Sequence, residues 1–331
     1  MNRGVKYFRE AVHLHSLLPL QAAQEVLVGG QAVIEGVMMR SPHAWAVAVR
    51  KADGWIAVKQ NYLERPSEKH SWLKYPLLRG LGVLGQAMAL GVRALRYSAQ
   101  EALDAGSSDA ADEQPKKKPE LNSWLLALNV TLSVGFFVVF YKLVPLYAAT
   151  LIQRRGMIHN FIAFNFVDGI IRLALFLGFL VVLAQSKDIK RVFEYHGAEH
   201  KVVWAFEKMG RADLKSARAS TRFHPRCGTS FLLVVMVIAL ITYLFIPFQS
   251  FFWKLIIRIL LLPLIAGVSY EFIRFAAKAQ GWIWRLAAAP GLWLQRITTR
   301  EPDDGQLETA IKALESAMEL EKQRGGELVI A

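Results

Sequence analysis

Four stretches of this chain are apolar for long enough to dictate where they can sit. Ser123 to Ile152 carries one internal charge, Lys142, and one mid-segment proline, Pro145. Phe161 to Ala184 carries Asp168 and Arg172, and Thr229 to Phe248 carries no charge. Phe251 to Phe275 has Lys254 and Arg258 near its start, then runs uncharged from Ile259 to Tyr270. A helix needs roughly 20 mostly apolar residues to cross the hydrocarbon core. The pattern therefore predicts an α-helical polytopic membrane protein, with four transmembrane helices in two hairpins. Lys254 and Arg258 must snorkel or face other helices. Asp168 and Arg172, at i and i+4, can pair on one helical face as glue between helices.

Residues 26–64 have a different texture. Ala44 to Arg50 alternates, Lys51-Ala52-Asp53-Gly54 supplies a turn, and Trp55 to Gln60 alternates again. Asp-Gly between two β-prone runs signals a hairpin. Val26 to Val28 and Ala32 to Met39 read as further strands, broken by Gly29-Gly30 and Gly36. This predicts a small β-rich cytoplasmic domain within residues 1–75, of about four strands, packed on the helical part.

Pro76 to Gln100 repeats Arg79, Gln86, Arg93 and Gln100 every seven residues, which keeps them on nearly one helical face. That pattern predicts an amphipathic helix lying in the membrane interface. A crossing helix is the alternative, and it would reverse the topology. Residues 101–120 are polar, charged and rich in small side chains, and read as a disordered linker. Residues 121–302 hold the spans, with a polar segment at 186–227, and residues 303–331 form a tail. Within the tail, Leu307, Ile311, Leu314 and Met318 share one side of a helix over 306–323.

Composition sharpens the class. With 53% hydrophobic side chains in 331 residues, the chain is too apolar for an ordinary soluble enzyme. Residues 1–28 contain no continuous hydrophobic core of the signal-peptide kind. The polar segment between the second and third spans is rich in Lys and Arg, and Lys116 to Lys118 precede the first span. The positive-inside rule then puts both termini and that segment in the cytoplasm, in an inner membrane. A single cysteine excludes an internal disulfide and suits a reducing compartment. The net charge of +13 fits basic flanks against anionic membrane lipid, or contact with RNA such as a ribosome surface. Charge alone does not choose.

The polar segment also carries the candidate chemistry. His196-Gly197-Ala198-Glu199-His200 reads H-x-x-E-H, the inverted order of the zincin signature. On a helix, positions i and i+4 put both imidazoles on one face, where they can share a cation. Glu199 lies beside that face, placed to act as a general base. His224 and Cys227 follow, so His196, His200, His224 and Cys227 are four candidate ligands for Zn²⁺. Four protein ligands make a structural site; three plus water make a catalytic one. The bland reading keeps the histidines as polar helix residues, with Glu199 pairing Lys201 or an arginine. Glu271 ends the last span on the same side, and Glu35 and Arg40 sit in the β-rich part that would roof a shared pocket.

The strings GGQAVIEGVMMRSP (29–42), EYHGAEHKVV (194–203), STRFHPRCGTSF (220–231), LPLIAGVSYEFIR (262–274) and PGLWLQRITTREP (290–302) together resemble one bacterial membrane family. It is the YqhQ-like family of unknown function, commonly labelled a predicted metal-dependent enzyme. The resemblance spans about residues 26 to 302 and implies one family unit with the β-rich part at its N-terminus. It supplies no substrate. Two functions follow as expectations. One is a cytoplasm-facing, zinc-dependent, hydrolase-like membrane enzyme. The other is a non-catalytic factor for membrane-protein insertion or assembly, which binds ribosome, translocon or lipid.

Overall fold

In the computed structural model of the chain, residues 28–104, 123–248, 250–278 and 281–323 are described. The expected linker therefore lies almost wholly outside the described residues, as do Val26 and the end of the tail. Four strands, β1 (Gly29–Val33), β2 (Gly36–Arg40), β3 (Ala44–Arg50) and β4 (Ile56–Tyr62), form an antiparallel meander in sequence order. The β3–β4 hairpin follows from Asp53-Gly54: Gly54 takes φ 86°, and the Asp53 carboxylate accepts the Trp55 N–H at 2.9 Å.

Ala32 to Met39 is not one strand. It is a second hairpin, which pairs Val33 with Gly36 and turns at Ile34-Glu35, with Glu35 at φ 52°. Neither residue is a usual turn former, so composition did not mark the reversal. The glycines lie inside strands rather than between them. At Gly36 a Cβ would collide with the Ala48 carbonyl of β3, so only glycine lets the two backbones come that close.

Both faces of the sheet are covered. Successive side chains alternate across a strand. Val37, Met39, Ala46 and Ala48 face one side and pack on α6 (Lys187–Met209) and α12 (Asp304–Gln323). Val33, Met38, Trp45, Val47 and Val49 face the other and pack on Leu90 and Ala94 of α2 (Leu78–Asp104), which follows the short α1 (Pro66–Lys69). The result is a helix–sheet–helix sandwich. The tail is thus part of the core: Leu307, Ala310, Leu314 and Ala317 are buried against the sheet.

The remaining helices are the apolar ones. α3 (Ser123–Val138) runs through a π-turn (Val139–Leu143) into α4 (Val144–Arg154), then come α5 (Phe161–Leu183) and, beyond α6 and α7 (Leu214–Ala219), α8 (Gly228–Leu244). α9 (Phe251–Leu260) and α10 (Leu262–Lys278) meet at a 46° bend, and α11 (Trp282–Thr298) leads back to α12. Two helical stretches, Thr131–Arg154 and Phe161–Leu183, are long and apolar enough to cross a membrane, and the bent α9–α10 pair is a third if it counts as one span. α8 is apolar but shorter, at 17 residues. α2 is long but amphipathic, and it is not among the candidate spans.

Candidate metal centre

α6 is the central helix, buried on every side from Gly197 to Ala205. Tyr195, Ala198 and Val202 face the sheet and α12. Around the helix from them, His196 and His200 face the segment 220–227 and the end of α11. Gly197 explains how chain can pass so close, because a Cβ there would collide with the Arg300 carbonyl. Gly30 does the same for β1: a Cβ would lie 2.7 Å from Cγ of Glu199.

Both imidazoles are oriented by backbone carbonyls. His196 Nδ1 lies 2.8 Å from the Thr298 carbonyl, and His200 Nδ1 lies 2.6 Å from the Arg222 carbonyl. A carbonyl only accepts, so each Nδ1 carries a proton, and each Nε2 is left as the ring atom available to a metal. Both rings turn toward one sulfur. The donor atoms of His196, His200 and Cys227 all lie within 4.8 Å of one another, and Cys227 Sγ is 3.4 Å from His196 Nε2. With bonds of about 2.0 Å to nitrogen and 2.3 Å to sulfur, tetrahedral ligands of one zinc ion stand about 3.5 Å apart. Imidazole fixed through Nδ1–H to a carbonyl is the usual arrangement of a metal-binding histidine.

The electrostatics favour a thiolate. Burial pushes the Cys227 thiol up, but His196 and His200 outweigh it and hold it well below the ordinary range. Burial likewise pulls His196 down, while Cys227, then Glu199 and the Thr298 carbonyl, raise it to about 9. Cys227 is also the N-cap of α8, where the helix dipole favours negative charge.

Glu199 has no lysine or arginine partner among the described residues. Its Oε2 lies 3.9 Å from His196 Nε2 and 3.8 Å from His200 Nε2. Lys201 goes instead to Glu301 and the Arg218 carbonyl. The carboxylate therefore sits beside the three donors, at one remove from them.

The other expected residues do not join this group. His224 is turned away: its Nδ1 accepts the Arg226 N–H at 3.2 Å, and its Nε2 faces Glu207 at 3.4 Å. Burial pulls it down to about 4, so it stays neutral. Glu271 is held by the Arg79 guanidinium and by the Leu77 N–H at 3.3 Å. Glu35 pairs with Arg191 at the hairpin turn. Arg40 shares the face of Met38, across the sheet from Glu199. The strand over the site is β1, at Gly30.

Several positioning residues went unnoticed in the sequence. Gln295 of α11 accepts the His224 N–H at 2.8 Å and donates to its carbonyl at 2.7 Å, which clamps the 224–227 turn. Trp204 donates to the Phe223 carbonyl at 2.8 Å, and Thr229 Oγ1 lies 3.0 Å from Cys227 Sγ. Gln295 and Thr298 both fall in the string 290–302, the signal that could have found them.

A family model described as a protein of unknown function (DUF1385) matches residues 75–320. The chain belongs to this family. It is also 34% identical over 300 residues to a protein of Bacillus subtilis (strain 168) described as "Uncharacterized protein YqhQ", covering 88% of this chain and 92% of that one. No solved structure matches it significantly. Most of the site lies inside the matched residues; the sheet above it precedes them.

Proposed function

We propose that the chain is a membrane-embedded, metal-dependent enzyme of hydrolase type. Its centre is His196, His200 and Cys227, with Glu199 as general base. One observation carries the reading: two imidazoles, each fixed through Nδ1–H to a carbonyl, aim Nε2 at one thiolate. Two nitrogens and a sulfur suit zinc. A zinc ion bound there would supply Lewis acidity and an acidified water. The rest falls to the chain's own side chains. His196 and His200 hold their orientation through Thr298 and Arg222, and Cys227 carries the negative charge. Glu199, with no lysine or arginine partner among the described residues, accepts a proton at Oε2. Three donors with a carboxylate beside them leave a fourth position open, which favours catalysis over a closed structural shell.

The reading includes four spans with both termini cytoplasmic. The sheet, α6 and α12 pack together, so they share one side of any bilayer. An even number of crossings must then separate each from the next. α3–α4 and α5 make two between sheet and α6. α8 and the α9–α10 pair must both cross or neither, and α8, about 25 Å long, nearly matches the hydrocarbon thickness.

Elemental analysis of the full-length protein, purified without chelators or a His-tag, tests the centre. Near-stoichiometric zinc is expected, lost in His200→Ala and Cys227→Ser and kept in His224→Ala. Glu199→Gln should keep the metal and lower turnover about 10²–10⁴-fold once a substrate is assigned. Metal lost in Glu199→Gln would make Glu199 a fourth ligand and the site structural. Metal-free wild-type protein would refute the centre.

A further inference from the structure

A second polar cluster lies at the far end of α8, some 16 residues from Cys227 and about 24 Å along the helix. Lys142, Arg172, Lys254 and Arg258 are all buried there, on the π-turn, α5 and α9, and Asp168 is the single carboxylate among them. Arg258 Nη1 donates to Asp168 at 2.9 Å and Nη2 to Asn165 at 2.7 Å, while Arg172 Nη2 donates to Asp168 at 2.7 Å. That satisfies one carboxylate twice over and leaves the positive charge in excess. Lys254 and Arg258 do not snorkel; they face inward.

The donors outnumber the acceptors around them. Arg258 Nε is buried with no hydrogen-bond partner among the described residues. Lys254 Nζ lies 3.4 Å from the centre of the Phe164 ring and has no acceptor among them. Lys142 Nζ reaches only the Tyr243 hydroxyl, at 3.2 Å. Three cations, Lys142, Arg172 and Arg258, lie 5.1–5.4 Å from the Tyr243 ring centre. Cations buried between apolar helices are costly unless matched by an anion. A π-turn that carries Lys142, and whose Tyr141 carbonyl accepts Arg172 at 3.1 Å, is the kind of helix irregularity found at binding sites. Just before Lys254, the exposed Phe251, Phe252 and Trp253 form an aromatic group typical of the membrane–water boundary. On the proposed four-span reading, on which this inference rests, Lys254 would lie near the depth of lipid phosphates and Arg258 one turn further along α9.

We infer that Lys142, Lys254, Arg172 and Arg258 together bind a phosphate-bearing anion, a phospholipid headgroup or a free phosphate. Guanidinium and ammonium donors are the usual partners of phosphate oxygens. The test is the thermal midpoint of full-length protein in phosphatidylcholine nanodiscs. The probes are phosphatidylglycerol added to the nanodiscs, or inorganic phosphate titrated at constant ionic strength. A saturable rise is expected. A response to phosphatidylglycerol alone assigns the lipid, and a response to inorganic phosphate assigns the free anion. In Lys254→Gln and Lys142→Gln, half-saturation should move up at least about tenfold. The midpoint without anion should rise in the same variants, because less charge is left unmatched. A wild-type midpoint unmoved by either probe overturns the inference, whether or not the variants fold. So does a response that both variants keep in full.

Discussion

At the scale of single residues, the proposed centre depends as much on absent atoms as on its donor side chains. Gly197 sits between the two histidines, and its bare Cα lets the Arg300 carbonyl lie against α6. Alanine there would gain about 1 kcal/mol in helix propensity. It would also drive a Cβ into a backbone carbonyl two residues from Thr298, which orients His196. Overpacking of that kind costs about 1–3 kcal/mol, and the collision is with backbone, which cannot swing away. Gly197→Ala is therefore expected to lower the thermal midpoint and the bound metal together. A variant with wild-type metal content would show that the 298–302 segment does not support the site. The H-x-x-E-H spacing made the two imidazoles and Glu199 legible. It could not say which ring nitrogen of His224 faces where. That choice was made by the Arg226 amide and Glu207, two groups no spacing rule reports.

At the scale of elements, run length made the long apolar helices legible, and Asp53-Gly54 made the β3–β4 hairpin legible to within two residues at either end. The Ile34-Glu35 turn was not legible, because its reversal comes from pairing with β3 rather than from turn chemistry. Nor was the partner of α12, since an apolar stripe says that a helix is covered but not by what. That partner is the sheet, and the two are pinned by Glu321. Its carboxylate accepts from Ser41 Oγ at 2.7 Å and from the His43 N–H at 2.8 Å, and it meets His43 Nδ1 at 2.8 Å. Burial alone would raise this carboxyl, but those hydrogen bonds outweigh it and hold it below the ordinary range. A group lowered on folding contributes stability above its unfolded pKa and loses it as the pH falls through the folded value. Glu321→Gln should thus cost about 1.5–3 kcal/mol at neutral pH and little in acid. Thermal melts of the variant and wild type from pH 7 down to pH 3 would check this. An equal gap at both ends would remove the charge from the account.

At the scale of the whole molecule, the packing of chain ends constrains the path between them. Sheet, α6 and α12 form one sandwich, although α6 and α12 are separated by α8 to α11. Length and composition alone make the α8–α10 stretch ambiguous, because α8 is short and α9–α10 is bent. Parity removes half of the choices: one crossing without the other would strand α12 across the bilayer from its own core. For the proposed membrane protein that leaves four spans or two. The buried cations of α9 argue for four, since Lys254 and Arg258 reach Phe164 and Asp168 on α5, a candidate span by itself. α9 packs beside α5, and α8 carries Tyr243 against the same cations, which is the packing the proposed four spans require. Cysteines introduced at Met157, Ser250 and Glu319, all exposed positions, separate the alternatives. In intact cells an impermeant maleimide should label Met157→Cys and Ser250→Cys, and should reach Glu319→Cys only after lysis. Protection of Ser250→Cys alongside labelling of Met157→Cys would leave two spans and put the α8–α10 hairpin on the cytoplasmic side. Labelling of Glu319→Cys before lysis would invert the molecule and place the proposed His196–His200–Cys227 centre outside the reducing cytoplasm.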